Sequence, residues 1–408
     1  MTSRTRHLRK ARQTALARAG RPAWLRRPGL RTAAAALAAP ALAAALLTGS
    51  SAAGAATRGP AAGHPAPDPF SPAYQHPYRK GVVPTIGALT RMLGWAKHHL
   101  GTPSALSLTN LAYGGAVDGI GVTTGHPKVY LVFYGTQWGK PGRNSRGDVT
   151  LSRDPTGEAW YLQQMFKGLG TGGERWSGVM TQYCQGVSSG AQSCPKSNTH
   201  HVRYPTGGAL RGVWVDRNRT SPGNASGHQL GVEAVRAAAH FGNTSKSANR
   251  NAQYVILSPT GTDPDSWRQQ GFCAWHDYNG DSTLTGGAVK SPYGDIAFTN
   301  MPYVSNAGSS CGSHFVRSGP GGVRDGVSIV AGHEYAETIT DQNPSGGWTD
   351  IMGQENGDKC AWISPGGSGG AFRLTVSAET FAMQTTWAND GASGTGACEA
   401  RHSIVPNG

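Results

Sequence analysis

The residues with the clearest chemical potential lie in one segment, His333-Glu334-Tyr335-Ala336-Glu337. This H-E-x-x-E pattern is a variant of the zinc-binding H-E-x-x-H motif, with a carboxylate in the second ligand position. Residues four apart share one face of an α-helix, so His333 and Glu337 can bind one metal ion together. Glu334 would then be the general base that accepts a proton from an attacking water. The pattern predicts a catalytic metal centre, with zinc as the expected ion.

A catalytic metal site normally needs a third protein ligand. Glu355 lies eighteen residues after Glu337, beyond a turn-rich loop, and is the first candidate. Asp341 lies two helical turns from His333, about 80° around the helix, and is expected either to bind the metal or to orient that histidine. Lesser candidates are Asp350 and Asp358. An anionic ligand makes the ion a weaker Lewis acid than imidazole does. Two alternatives to catalytic zinc are therefore a harder metal ion and an ion with a structural role.

The alternative is that these polar side chains simply face water on an ordinary helix, since so short a pattern also occurs by chance. The turns before the motif are apolar, at Val327, Ile329, Val330 and Ala331, which indicates that the helix enters the core. Burying one histidine and two glutamates without a cation would be costly. The sequence therefore favours the metal.

Other patterns are weaker. Asp277-x-Asn279-x-Asp281 resembles the start of a calcium loop, but Ser282 and Ala288 stand where Gly and Glu are needed, so an Asx-rich turn is favoured over calcium. Further histidines that could supply a ligand or an oxyanion donor are His200, His201, His276 and His314. A serine hydrolase is the remaining enzyme class, through G-x-S-x-G patterns at Ser188, Ser310 and Ser368, but none stands clearly between a strand and a helix.

Strand and helix patterns alternate along the chain. Strands are predicted over 128–134, 254–257, 271–275, 296–303, 372–377 and 381–387. Helices are predicted from Asp154, over 226–241 and over 325–341, the last capped by Asp325. The expected fold is α/β or α+β: a single loop-rich, mixed-sheet domain with flanking helices, a zincin-like active-site helix and disulfide staples.

Six cysteines form an even set, which predicts three disulfides and an oxidising compartment. Sequential pairing is the simplest of the fifteen connectivities, and the lack of a C-x-x-C pair disfavours a cysteine metal site. The residues are Cys184, Cys194, Cys273, Cys311, Cys360 and Cys398.

Residues 1–55 have the features of a signal peptide: ten basic residues and no acidic one, an Ala/Leu run, and a final Ala53-Gly54-Ala55. Arg26-Arg27 is consistent with a twin-arginine route. Without this segment the net charge of +14 falls to +4, from 27 basic and 23 acidic residues, which argues against nucleic acid as a partner. The sequence predicts a secreted, extracellular protein with no stable membrane insertion after signal removal.

Three further regions follow the signal peptide. Residues 56–110 are rich in Pro, Gly and His and are expected to be a linker or pro-segment, with a short amphipathic helix over Ile86–Leu100. Residues 111–402 are the expected metalloprotease-like domain, and 403–408 are a tail. If the pro-segment is inhibitory, one of its His or Asp side chains would occupy the open metal position.

From Val129 to Cys398 the chain resembles the exordium-like, or phosphate-induced, secreted proteins of plants and their bacterial relatives. The helix His333-Glu-Tyr-Ala-Glu-Thr-Ile-Thr340 is similar to the family's H-E-L-A-E-T-V-T segment. Glu355 precedes Cys360 by five residues, as a Glu precedes a Cys in that family. Matching segments also occur at 129–135, 271–273, 325–326, Trp387 and Cys398. The resemblance implies an extracellular protein with a metalloprotease-like helix.

The expected function is a secreted, metal-dependent hydrolase, first of all a zinc peptidase acting on an extracellular peptide or cell-wall substrate. Its metal ligands would be His333, Glu337 and either Glu355 or Asp341, with Glu334 as the catalytic base. The alternatives are a non-catalytic extracellular or cell-wall binding or signalling protein with a structural metal, and a serine hydrolase.

Overall fold

The computed structural model describes residues 81–100, 110–195 and 200–406. The parts of the chain outside these ranges are the expected signal peptide, residues 56–80 and 101–109 of the expected linker, residues 196–199 of the expected domain and the last two residues of the tail. Among the described residues, no helix combines the length and the apolar character that a membrane span requires.

The elements alternate much as the sequence predicts. The strands are β1 Val83–Pro84, β2 Ala112–Tyr113, β3 Lys128–Tyr134, β4 Pro141–Arg143, β5 Val149–Leu151, β6 Cys184–Gln185, β7 His200–His201, β8 Leu210–Asp216, β9 Ala252–Leu257, β10 Phe272–Tyr278, β11 Ala297–Met301, β12 Trp348–Thr349, β13 Phe372–Val376, β14 Glu379–Met383, β15 Thr386–Ala388 and β16 Ala397–Glu399. The α-helices are α1 Ile86–Leu100, α2 Glu158–Gly168, α3 Trp176–Met180, α4 Gly227–His240, α5 Lys246–Asn249, α6 Trp267–Gln270, α7 Asp325–Thr340 and α8 Gly391–Gly394.

A six-stranded mixed sheet forms the centre, in the order β1-β10-β11-β9-β3-β8. The pairs β11/β9, β9/β3 and β3/β8 are parallel, and β1/β10 and β10/β11 are antiparallel. Strands β9 and β10 are buried along their whole length, and β3 is buried after its first residue, which explains why their sequences are largely apolar runs. Together with several two-stranded sheets, this confirms the expected mixed-sheet α/β class.

Helix α7, which carries the H-E-x-x-E segment, is buried at every residue from Asp325 to Thr340. It packs between the β10 side of the central sheet and the β13/β14 hairpin. The apolar residues before the motif are fully or nearly fully buried, as predicted, so the helix does not simply face water.

The start of α7 differs from the prediction. Asp325 is the first helical residue and makes no N-cap hydrogen bond. Its carboxylate instead accepts hydrogen bonds from the backbone N–H of Val316 and from Nε of Arg317, both in the preceding loop. A charged partner eight residues earlier in the chain therefore takes the place of the local cap.

The disulfides agree with the sequence prediction, whereas the start of the folded domain differs from it. The sequential disulfides Cys184–Cys194, Cys273–Cys311 and Cys360–Cys398 are confirmed. The ordered domain, however, begins before residue 111, because β1 is an edge strand of the central sheet and α1 follows it. Part of the expected linker is thus a component of the fold.

Candidate metal centre

Helix α7 presents three ionisable side chains on the side that faces β10. His333 and Glu337, one turn apart, place Nε2 and Oε1 2.8 Å from each other. All three residues, including Glu334, are at most 1% exposed. The predicted pairing of His333 with Glu337 on one helical face is therefore present in the structure.

His276, from the middle of β10, faces the same cluster. Its Nδ1 lies 3.3 Å from Glu334 Oε2 and 3.7 Å from Glu337 Oε2, and its Nε2 lies 3.6 Å from Glu355 Oε2. The ligand-type atoms of His276, Glu334 and Glu337 all lie within 4.8 Å of one another. A strand distant in sequence thus brings a second imidazole to the helix.

The loop after β12 adds two carboxylates. Glu355 is 2% exposed and approaches His276, as described above. Asp358 Oδ1 lies 3.5 Å from His333 Nε2, while its backbone N–H donates to Glu337 Oε1 at 3.0 Å. His333, Glu337 and Asp358 form a second group whose ligand-type atoms lie within 4.8 Å of one another. Glu337 belongs to both groups and is the centre of the cluster.

These contacts are close but are poorly aligned as hydrogen bonds. Seven buried ligand-type atoms lack a hydrogen-bond partner within the described part of the chain: Nδ1 and Nε2 of His276, Nε2 of His333, both carboxylate oxygens of Glu334, and Oε2 of Glu337 and of Glu355. Buried polar atoms are rarely left unpaired. Two ligands about 2.1 Å from one zinc ion at a tetrahedral angle are about 3.4 Å apart, close to several of the distances here. The nitrogen and oxygen donors fit zinc, and the excess of carboxylates also suits a harder divalent ion.

The pKa values of the cluster without a cation also favour a metal site. Burial and then Asp358 raise the pKa of Glu337 to about 7, and burial raises those of Glu334 and Glu355 well above the usual range. Burial and the proximity of His333 lower the pKa of His276 to about 3. For His333 itself, burial alone would lower the pKa, but Glu337 and Asp358 raise it well above normal. A cation would compensate the carboxylates that cannot all be ionised together in a buried site.

Two glycines bring backbone against the cluster. A Cβ built on Gly357 would lie 2.8 Å from Glu337 Oε1 and 2.9 Å from His333 Cγ. One built on Gly81 would lie 2.0 Å from His276 Nδ1 and 2.7 Å from Glu337 Oε2. The cluster therefore has chain packed against it from both the loop after β12 and the segment before β1.

Gln384, at the break between β14 and β15, orients His333. Its side-chain Nε2 donates to the Gly357 carbonyl at 2.7 Å, which directs Oε1 toward His333 Nδ1, 3.0 Å away. Nδ1–H is then the donor, and Nε2 is left facing Glu337 and Asp358. A partner on the second ring nitrogen is typical of a metal-bound histidine.

We expect Gln384→Ala to weaken binding of zinc by about 10- to 100-fold, because His333 loses the group that fixes its ring. Competition with a chromophoric chelator measures the change. Gln163→Ala, which removes another buried glutamine, from α2, is the matched control. Equal affinities in the two variants would show that Gln384 does not position His333.

The structure does not bring all the predicted residues together. Asp341 belongs to neither group of ligand-type atoms, and its carboxylate accepts hydrogen bonds from the backbone N–H of Ser345 and Gly347. Asp350 accepts backbone hydrogen bonds in its own turn and pairs with Lys359. These carboxylates stabilise the loops on either side of β12.

Apart from His276, the weaker patterns lie outside both candidate groups. Asp277 ends the buried strand β10, the Asn279 side chain accepts a hydrogen bond from the distant backbone N–H of Ile296, and Asp281 accepts one from Thr283 as in an Asx turn. The three G-x-S-x-G serines, Ser188, Ser310 and Ser368, are exposed, and none lies at a strand-to-helix elbow. The remaining histidines, His200, His201 and His314, are not part of either candidate group.

Three site residues had little or no sequence signal. The sequence indicates His276 only as one of four histidines that could supply a ligand, just after the predicted strand 271–275, and Asp358 only as a lesser candidate. Gln384 had no signal, although the predicted strand 381–387 breaks at this residue, into β14 and β15. Comparison of the chain with protein-family models, with curated proteins and with solved structures gives no match.

Proposed function

We propose that this protein is a secreted, metal-dependent hydrolase, first of all a zinc peptidase. The observation that carries the proposal is the set of unpaired, buried ligand-type atoms on His276, His333, Glu334, Glu337 and Glu355. Water-exposed acidic residues would not need a cation, whereas this buried cluster contains four carboxylates, Glu334, Glu337, Glu355 and Asp358, and only one histidine whose pKa is raised, His333. The three disulfides and the resemblance to exordium-like secreted proteins support the extracellular setting.

The described side chains divide into two roles. His333, Glu337 and Asp358 form the group that would hold the ion, and His276 contacts the other carboxylate oxygen of Glu337. When bound, the ion would polarise a substrate carbonyl and lower the pKa of a water molecule. Glu334 has both carboxylate oxygens unpaired and would accept the proton of that water, then return it to the leaving amine. Gln384 keeps the ring of His333 in place.

The first test is the metal content of the full chain, purified without a metal-affinity tag. We expect at least one equivalent of a divalent metal per chain by elemental analysis, together with cleavage of a peptide library. Dialysis against a chelator should remove both, and zinc should restore both. A chain without stoichiometric metal, which also fails to take up added zinc, manganese or calcium, would contradict the proposal.

One observation favours a second candidate, an extracellular binding protein with a structural metal. The ligand side chains from α7 and β10 are at most 1% exposed, a degree of burial typical of an ion that stabilises a fold. In that case chelation would lower the melting temperature, and no peptide in the library would be cleaved before or after zinc is restored.

A further inference from the structure

A catalytic centre must admit its substrate, yet the side chains of this cluster are buried. The segment before β1 contributes to that burial. Gly81 is itself buried, and its backbone lies against His276 and Glu337. A substrate that approached His276 from this side would have to take the place of residues 81–84.

Those residues already lie as a peptide substrate would. Strand β1 pairs antiparallel with β10, with Val83 opposite Ala274 and Pro84 opposite Phe272. Continued in the same direction, the chain brings Gly81 to His276. Because β10 is paired with β11 on its other side, β1 covers its one remaining edge. Backbone hydrogen bonds along such an edge bind extended peptides with little regard to side chains.

The attachment of β1 is short and specific. The strand has two residues, and the Thr85 N–H donates to the Gly271 carbonyl at 2.8 Å just beyond it. The buried Trp362 donates its indole Nε1–H to the Pro84 carbonyl at 2.7 Å. The Trp362 side chain thus binds one peptide carbonyl of β1, and a separate peptide on the same edge could use this donor in the same way.

The contact with His276 selects for glycine. Gly81 has φ of +47°, and a Cβ at this position would lie 2.0 Å from two atoms of the imidazole ring. Both the backbone conformation and the available space therefore exclude a side chain. A peptide that replaced this segment would need glycine opposite His276.

We propose that the outer edge of β10 is the substrate-binding strand of this protein, that its ligand is an extended peptide with glycine opposite His276, and that residues 81–84 occupy this edge as an internal substrate mimic, which a substrate displaces. The inference rests on the proposed peptidase function for its biological meaning. His64, Asp68 and His76, pro-segment side chains that are expected to fill the metal position, lie outside the described residues.

The test uses the full chain with Gly81→Val, which should expel the segment. The matched control is Gly94→Val in α1, where an added Cβ meets nothing within 4 Å. Two probes follow: hydrogen exchange of the β10 amides, and binding of a fluorescent peptide with the sequence of residues 79–86. Both are measured in chelator, so neither depends on metal or on cleavage.

In Gly81→Val we expect the β10 amides to exchange at least about tenfold faster than in the control. The peptide should bind this variant at least about tenfold more tightly than it binds the control or the native chain, where it must first displace residues 81–84. A peptide with valine in place of its glycine should bind at least about tenfold more weakly, since each tenfold is about 1.4 kcal/mol. Unchanged exchange, or open β10 amides without peptide binding, would overturn the proposal. Equal binding of the two peptides would overturn the glycine requirement.

If Gly81→Val does not fold, Trp362→Phe in the native chain gives the same test by removing the donor to Pro84. Faster β10 exchange with capture of the peptide supports the proposal, and no change in either overturns it. If the peptide binds but the zinc-loaded chain cleaves nothing, the peptidase function fails while the binding strand stands. If the zinc-loaded native chain cleaves peptides but Gly81→Val captures none, the binding-strand proposal fails while the peptidase function stands.

Discussion

Replacing Glu334 by glutamine should lower kcat for peptide cleavage by about 10²- to 10⁴-fold, the usual contribution of a general base. The substitution keeps the shape of a side chain that is 1% exposed but removes its ability to accept a proton. We expect the metal content to stay at the native value, because His276, His333, Glu337 and Asp358 are unchanged. Initial rates on a fluorogenic peptide, with elemental analysis of the same sample, give both numbers.

The matched control is Glu379→Gln, which changes a carboxylate of β14 that pairs with Arg146 on the surface. It should cleave as fast as the native chain. If Glu334→Gln instead loses the metal, Glu334 is a ligand and the base lies elsewhere. If it keeps both metal and activity, the proposed mechanism is wrong.

The second large effect is expected at Glu337, the residue that belongs to both groups of ligand-type atoms. Glu337→Gln should lower the affinity for zinc by at least about 100-fold, more than the loss of an outer partner. A ligand at a hundred times its Kd stabilises the folded state by about 2.7 kcal/mol. For a domain of about 300 residues, loss of that binding lowers the melting temperature by about 4 °C.

The metal-free chain should respond in the opposite direction. Burial and Asp358 raise the pKa of Glu337, so a neutral amide at this position removes an unfavourable charge when no ion is present. In chelator, Glu337→Gln should therefore melt at or above the temperature of the native chain. Melting curves of the native chain and of Glu337→Gln, each recorded with zinc and with chelator, give the four temperatures to compare. A zinc-dependent increase of equal size in both proteins would show that Glu337 does not bind the ion.

The sequence predicts the parts of the site that depend on local pattern. Helix α7 was predictable because an apolar run leads into the motif, and residues four apart must share a face. His276 and Asp358 join that helix only through the pairing of β10 in the sheet and the course of the loop after β12. Such contacts depend on tertiary packing, which no local spacing encodes. Similarly, the composition around Gly81 predicts a linker. Composition alone does not show that part of a Pro/Gly-rich segment pairs with a sheet edge.

The positions of two disulfides bear on how the site is assembled. Cys273 lies three residues before His276, and Cys360 lies two residues after Asp358. Each disulfide joins two cysteines that are 38 residues apart. In the chain-entropy view, such a cross-link raises the free energy of the unfolded state by about 4 kcal/mol. In the reduced chain both ligand-bearing segments are less constrained. Ion binding would then have to order them, and this ordering would reduce the net free energy of binding. Thiol oxidation would thus precede tight ion capture during maturation, and reductants would weaken the affinity without touching any ligand.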